Sequence, residues 1–368
     1  MSTFIADPDF DHASAQGTLV LIVNLGTPDA PTTGAVRRYL AEFLSDPRVI
    51  ELPAAARWLL LHGVVLRFRP ARSAHAYAQV WGPDGSPLLA VTLRQAAALE
   101  RQLSSQGLSV PVRAAMRYGN PSIAAVLREF RGQGLRRLLV LPMYPQYSGS
   151  TTGSVMDALG DELRKWRWVP ELRFINSYYD DHRYIEALAA SVRAAWATNG
   201  GPAQRLLMSF HGLPQRYLMA GDPYYCHCQM TARLLTEALQ LDAKDAQVSF
   251  QSRVGREQWL TPYTDGTLRA LGADGVESLD VVCPGFSADC LETLEEIDIQ
   301  GREQFLSAGG KRFNYIPALN DDEPHIRALA DIVLQRSPDW IDERADPSTL
   351  QRSAALAQQA RNVLVSKV

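Results

Sequence analysis

The chain has 368 residues, 46% of them hydrophobic and 21% charged, with a formal net charge of −3. That length exceeds one ordinary core and points to two domains, while the near-neutral charge removes the broad attraction that a nucleic-acid partner would need. Four cysteines in a chain this long do not make a disulfide framework.

Met1 to Gln16 carries Asp7, Asp9 and Asp11 and lacks the basic start and apolar stretch of a secretory signal. The expectation is a cytoplasmic protein. Thr18–Asn24 is an apolar, β-branched run of strand length, and Arg137–Leu141, Arg205–Phe210 and Ser278–Val282 are others. Between them lie helical patterns: Ser86–Leu103 opening on Ser-Pro, Ser122–Gly132 after the turn Asn120-Pro121, and Asp181–Ala197 with Ile185, Leu188, Ala189 and Val192 at helical spacing. Strands alternating with helices predict an α/β fold, a parallel sheet flanked by helices.

Trp58 to Leu66 is nearly all apolar and is followed by Arg67, Arg69 and Arg72. It reads either as a buried helix with a solvated basic end or as an exposed apolar lip with basic anchors. The lip would cover an apolar ligand or, through 58–72, touch the inner membrane from its surface.

Several strand ends release the chain through Gly or Pro: Asn24-Leu-Gly-Thr-Pro28, Leu141-Pro142, Phe210-His-Gly-Leu-Pro214 and Cys283-Pro284. In open α/β sheets ligands bind at such carboxyl ends. Two similar sets predict two similar doubly wound, Rossmann-like domains with an interdomain cleft as the site. The expected division is 17–172 and 173–316, with a helix at about 317–337 packing back on the first domain and an accessory or partly disordered tail at 338–368.

His211 falls at the sheet's carboxyl edge, where an imidazole serves chemistry or pins the following loop. Asp289, Glu292 and Glu296 are spaced three and four apart, so in a helix starting near Ser287 or Asp289 they share a face. Helix capping accounts for the first two but not for a row extended to Glu296. Such carboxylates, joined by an imidazole, suit a divalent metal or a proton relay. Tyr144 opens a hydroxyl- and glycine-rich loop to Ser154 whose amides suit an anion, but neither G-x-x-x-x-G-K-[ST] nor G-x-G-x-x-G follows a strand. Tyr77, Arg117, Tyr118 and Trp259 offer flat walls and a cation for a planar aromatic ligand bearing carboxylates. Cys226, Cys228, Cys283 and Cys290 lack zinc spacing and read as ordinary thiols.

Asn24-Leu-Gly-Thr-Pro28, Tyr144-Pro-Gln-Tyr-Ser148, Ser209-Phe-His-Gly-Leu-Pro214 and Asp289-Cys-Leu-Glu-Thr-Leu-Glu-Glu296 together resemble the ferrochelatase family, in that order and at similar intervals. The resemblance runs from about Thr18 to about Val333 and includes Arg48, Gly85-Ser86-Pro87, Arg117-Tyr118, Gly221-Asp-Pro-Tyr224, Ser252-Arg-Val-Gly255 and Trp259. It implies insertion of Fe²⁺, a substrate rather than a bound cofactor, into protoporphyrin IX. It places the essential histidine on His211 and the essential glutamate on Glu292, both also as metal contacts, and a proton or metal path on Asp289 and Glu296. Porphyrin contacts fall on Leu25, Tyr77, Ser86, Arg117, Tyr118, Tyr144 and Trp259.

The chain departs from the family's animal type in having Cys290 where many members have a second histidine. With Gly149 at the loop position of a cluster cysteine and no cysteine after Cys290, no [2Fe-2S] cluster is expected. Asp29 stands where members acting on coproporphyrin commonly have tyrosine, which favours protoporphyrin IX. Rival readings are another tetrapyrrole chelatase, for cobalt or nickel, and a non-catalytic porphyrin or metal carrier, which would need no proton acceptor. A hydrolase elbow is excluded by threonine at the nucleophile position of Gly149-Ser-Thr-Thr-Gly153.

Overall fold

In the computed structural model, residues 4–5, 17–255 and 257–342 are described, with helical backbone also at 352, 355–356, 358–359 and 362. Strand β1 (Gly17–Thr27) shows why its sequence lacks polar alternation. Leu19, Leu21 and Val23 enter one core while Val20 and Ile22 enter another, so the strand is covered on both faces.

The first half runs β1, α1 (Thr33–Ser45), α2 (Ala54–Leu60), a π-helical turn over Leu61–Val65, α3 (Leu66–Val80) and α4 (Pro87–Ser105). It continues through β2 (Val112–Gly119), α5 (Ile123–Gly132), β3 (Leu135–Pro142), a π-helical turn over Gly149–Gly153, α6 (Ser154–Leu163) and β4 (Glu171–Phe174). The strands pair in parallel in the order β2-β1-β3-β4.

The second half runs α7 (His182–Thr198), β5 (Arg205–His211), α8 (Gln215–Met219), α9 (Tyr224–Ala238), β6 (Ala246–Gln251), α10 (Thr264–Ala273) and β7 (Ser278–Val282). Then come α11 (Leu291–Thr293), a π-helical segment Leu294–Gly301, α12 (Arg302–Ser307) and β8 (Arg312–Ile316), followed by α13 (Glu323–Arg336) and α14 (Pro338–Asp342). Its parallel order, β6-β5-β7-β8, repeats that of the first sheet, with β5 in the place of β1. The fold is thus two similar α/β units.

The anticipated helix starts are local caps. Ser122 accepts from the Ala125 amide, Asp181 from that of Arg183, and Ser86 precedes Pro87 at the first turn of α4. Two expected bounds need correction. A division at 172/173 would cut β4, which pairs with β3, so the chain leaves the first sheet only after Phe174. The C-terminal helix starts at Glu323 rather than near 317, because Asn320 sits at φ 46°, a left-handed conformation no right-handed helix admits. Of the expected tail 338–368, α14 is described; the remainder, scattered helical positions apart, lies outside the described residues.

One apolar core runs through both halves. It joins Val20 and Ile22 of β1 to Leu206, Met208 and Phe210 of β5, with Leu99 and Leu103 of α4, Leu188 and Val192 of α7 and Leu329 and Val333 of α13 between them. A smaller, separate cluster holds α3 on α1 through Val36, Leu40, Leu61, Leu66 and Tyr77. The loop after β3 adds a polar tie: Asp222 of the second half accepts from the Gly149 amide (2.8 Å) and the Ser148 hydroxyl (3.0 Å). The anion held by this loop is therefore the protein's own carboxylate.

Candidate active site

A cavity of about 490 Å³, counting its open mouth, lies where the carboxyl ends of β1 and β5 meet. Leu25, Gly26 and Thr27 reach it from β1, His211 from β5, and Cys290, Leu291 and Glu292 from the start of α11, with Tyr39, Tyr77, Ser86 and Phe286 among its other walls. Two glycines allow this approach. Gly26 has φ +114°, and a Cβ there would lie 1.8 Å from the Tyr118 carbonyl. A Cβ on Gly212 would lie 2.7 Å from the Gln251 carbonyl and 3.1 Å from the Trp259 ring, so only glycine lets the chain turn directly after His211.

His211 Nδ1 lies 2.7 Å from the Gly212 carbonyl oxygen. A carbonyl only accepts, so Nδ1 carries a proton, and in the neutral ring the lone pair is on Nε2. Beside it in register, Gln251 of β6 is buried. Its amide nitrogen donates to the Glu292 carbonyl (2.7 Å), and its oxygen accepts from Ser209 of β5 (2.7 Å). Glu296 accepts from the Ser252 amide (2.7 Å) and hydroxyl (2.5 Å). Burial raises its carboxyl above the ordinary glutamate range, against the pull of those bonds and of His211, with Glu292 adding to the rise. Gln251 and Ser252 do not stand out as site residues in the sequence, where a polar residue ending β6 is the available signal.

The carboxylate row takes a different form from the expected helical face. The helix begins at Leu291, and Leu294–Gly301 is π-helical, so Asp289 precedes the helix instead of sharing a face with Glu292. Asp289 is buried, and its carboxylate is filled by Tyr315, Thr293, Ala318 and Asn320 donors. Glu292 lines the cavity; Glu296 stands behind it. Burial, with Glu292 next in effect, pushes the Cys290 thiol well up, so it faces the cavity as S–H.

Of the expected porphyrin contacts, Leu25, Tyr77 and Ser86 line the cavity, and Arg117, Tyr118, Tyr144 and Trp259 are not among its lining residues. Tyr118 is 1% exposed, with its hydroxyl 2.8 Å from Asp46. Arg117 is half-committed: Nη2 pairs with Asp46 (2.7 Å) and Nε donates to Ser154. Burial raises the Asp46 carboxyl, but Ser154, Arg48, Tyr118 and Arg117 outweigh it and hold it below the usual carboxylate range. The Tyr144 hydroxyl and Trp259 Nε1 are buried without a hydrogen-bond partner. Trp259 instead packs on Gly212, one residue from His211.

The apolar stretch resolves into both of its alternatives. Trp58 (59%), Leu59 and Phe68 (75%) are exposed, while Leu61 (2%) is core. Arg67, Arg69 and Arg72 are exposed beside them. The segment before α2 is tied to the second half by Arg216, which pairs with Glu51 and Glu257, and by the Tyr217 hydroxyl on the Val49 carbonyl (3.2 Å). Among the described residues no helix is long and apolar enough to cross a membrane. Cys226 is exposed, Cys228, Cys283 and Cys290 are buried, and all four are free thiols.

Known proteins agree with this picture at two levels. In fold, the chain is similar to the SirB structure from Bacillus subtilis with Fe³⁺, at TM-score 0.53 and 12% identity over 88% of this chain and 98% of that one. In sequence, it is 55% identical to a ferrochelatase of Nitrosococcus oceani over 91% of this chain and 90% of the relative. It is 54% identical to a ferrochelatase of Thioalkalivibrio sulfidiphilus over 97% of each. The ferrochelatase family model matches residues 17–337, a span that holds both sheets and every cavity residue named above, and the chain belongs to the ferrochelatase family.

Proposed function

We propose that the cavity between β1 and β5 binds protoporphyrin IX and inserts Fe²⁺ into it, with His211 and Glu292 at the reacting centre. The protein is a lyase of the chelatase kind. The reaction joins Fe²⁺ to the macrocycle and releases two pyrrole protons, giving protohaem. The observation that carries the residue assignment is that His211, whose Nδ1 is engaged by the Gly212 carbonyl, and Glu292 line one cavity.

Two pyrrole N–H protons must leave before four nitrogen lone pairs can hold the metal. His211 Nε2 accepts protons from the ring or takes part in metal delivery, and a neutral imidazole is needed for either role. Glu292 meets the cation at the cavity, and Glu296, held by Ser252, feeds cation or proton to it from behind. Among the described residues no three His, Cys, Asp or Glu side chains form a ready metal cage, so iron here completes its shell with porphyrin nitrogens or water. Leu25, Tyr77 and Ser86 provide the porphyrin walls, with Arg117, Tyr144 and Trp259 shaping the cleft around them. Walls that hold the macrocycle away from planarity would use binding energy to expose its lone pairs. The enzyme works without a resident [2Fe-2S] cluster.

The reading is tested by anaerobic incubation with Fe²⁺ and protoporphyrin IX, with coproporphyrin in parallel, followed by the haem spectrum. Protohaem is expected; folded protein that yields none, or that metallates only coproporphyrin, overturns it.

The exposed apolar face of Trp58, Leu59 and Phe68, flanked by arginines, is proposed to rest on an anionic membrane surface of the cytoplasmic side. Replacing Trp58 and Leu59 with Ser should lower retention on anionic vesicles severalfold with little change in melting temperature, because neither side chain is buried. Leu61→Ser, by contrast, empties a core position and should cost roughly 2–5 kcal/mol. Vesicle flotation beside thermal melts separates the two, and unchanged flotation in the double variant rejects the membrane role.

A further inference from the structure

Glu292 is bracketed by two residues that share one anchor. Asp289, three positions before it, takes the Thr293 hydroxyl on Oδ1 (3.0 Å), so the turn carrying Glu292 is pinned on both sides. The same oxygen accepts from the Tyr315 hydroxyl (2.5 Å) and the Ala318 amide (3.2 Å). Asn320 completes the arrangement reciprocally: its Nδ2 donates to Asp289 Oδ2 (2.8 Å), and its Oδ1 accepts from the Asp289 amide (2.8 Å).

Asn320 is itself held in place. It is one of the non-glycine residues at positive φ, 46°, a conformation that asparagine tolerates better than most residues. Its carbonyl accepts from Gln95 of α4 (2.9 Å) and from His325 Nδ1 of α13 (2.7 Å). Gln95 also donates to the Ser287 carbonyl (2.7 Å), at the other end of the same turn. Burial pushes the His325 imidazole down to about 4, so it is neutral at ordinary pH and donates from Nδ1. An asparagine clamped by two helices and holding Asp289 with both ends of its amide, the carboxylate through Nδ2 and the backbone N–H through Oδ1, is more apparatus than a loop needs.

We infer that Asn320 is a positioning residue for the insertion reaction: through Asp289 it sets the turn that presents Glu292 to the cavity, and Asp289 acts as an anchor and not as a carrier of iron or protons. The inference rests on the assignment of Glu292 to the reacting centre.

Exchange of the two partners tests it. Asn320→Gly keeps the left-handed backbone accessible but removes the amide, and should lower kcat at least tenfold while the apparent affinity for porphyrin stays within twofold. Asn320→Asp sets two carboxylates face to face, and Asp289→Asn sets two amide groups face to face; each should lose kcat similarly. The exchange Asp289→Asn with Asn320→Asp restores a donor opposite an acceptor, and leaves an oxygen at 289 for Tyr315, Thr293 and Ala318. It should recover kcat at least fivefold over either single change, which a carboxylate required at 289 as a carrier would forbid. Circular dichroism and melting temperature serve as folding controls. Asn320→Gly with more than half the parent kcat overturns the inference, as does a folded exchange variant no faster than the better single; where the exchange variant does not fold, Asn320→Gly decides alone. Glu292→Gln in the same assay separates the levels: full activity there defeats the assignment of Glu292, whereas its loss beside an active Asn320→Gly defeats this inference only.

Discussion

Replacing His211 with alanine is expected to abolish iron insertion while porphyrin still binds. The ring's hydrogen bond is to the carbonyl of its own neighbour, Gly212, so little of the fold hangs on it. The walls that hold the macrocycle, Leu25, Tyr77 and Ser86 among them, belong to other elements. What disappears is the one lone pair at the end of β5, and a positioned proton acceptor contributes about 10²–10⁴-fold to rate. Steady-state haem formation under anaerobic conditions, set beside a porphyrin-binding titration, reads both quantities. Turnover near that of the parent would remove His211 from the reaction, and lost porphyrin binding would make it a wall residue instead.

Glu292 and Glu296 should differ sharply. Glu292→Gln keeps volume and hydrogen bonding at the cavity but removes the charge and the proton-accepting oxygen, so turnover should nearly vanish. Glu296→Gln should slow the reaction and raise the apparent KM for Fe²⁺ without eliminating product, as suits a group behind the reacting centre. The pH profile gives a second reading. Burial raises the Glu296 carboxyl above its ordinary value, about 4.3, so the fold favours its protonated form. As pH falls, Glu296 takes up its proton earlier than an exposed glutamate. The acid limb of the parent's rate profile should accordingly lie above the usual carboxylate range, and Glu296→Gln should remove that part of it. Since the fold disfavours the Glu296 anion, the neutral amide should not lower the melting temperature. Equal, mild effects of both changes would reduce the carboxylates to helix-capping groups.

The parts of this molecule that were legible beforehand are those where local pattern and burial agree. β1, β3, β5 and β7 are the inner or most apolar strands, and each lay close to its expected span. β4, with only Glu171-Leu-Arg-Phe174, and β8, with Arg312-Phe-Asn-Tyr-Ile316, mix charged and polar residues with apolar ones, and only tertiary pairing makes them strands. His211 was legible because a strand end followed by Gly and Pro has one place to go in such a sheet. The surroundings of Glu292 were not. The helix starts only at Leu291, after Asp289, and turns π-helical from Leu294, so the 3.6-residue spacing put Asp289, Glu292 and Glu296 on a face the chain does not form. Tyr118 and Asp289 were identified by type and position, but what fills their hydrogen bonds is set by Asp46, Tyr315 and Asn320, distant in sequence.

The core common to both sheets has a mechanical side. Closure of two domains about a hinge needs an interface that can slide or part, and here the packed side chains of β1, α4, α7, α13 and β5 form one dense layer, which resists shear. The cleft floor is therefore built as a single packed layer. The roof is built otherwise: α3 sits on α1 through its own small cluster, and the chain before α2 is fastened to α8 by the exposed Arg216 and Glu51 and by one tyrosine hydroxyl. Exposed ion pairs of that sort hold by about 1 kcal/mol or less, so of the cleft's parts the lip separates from the second half at the lowest cost.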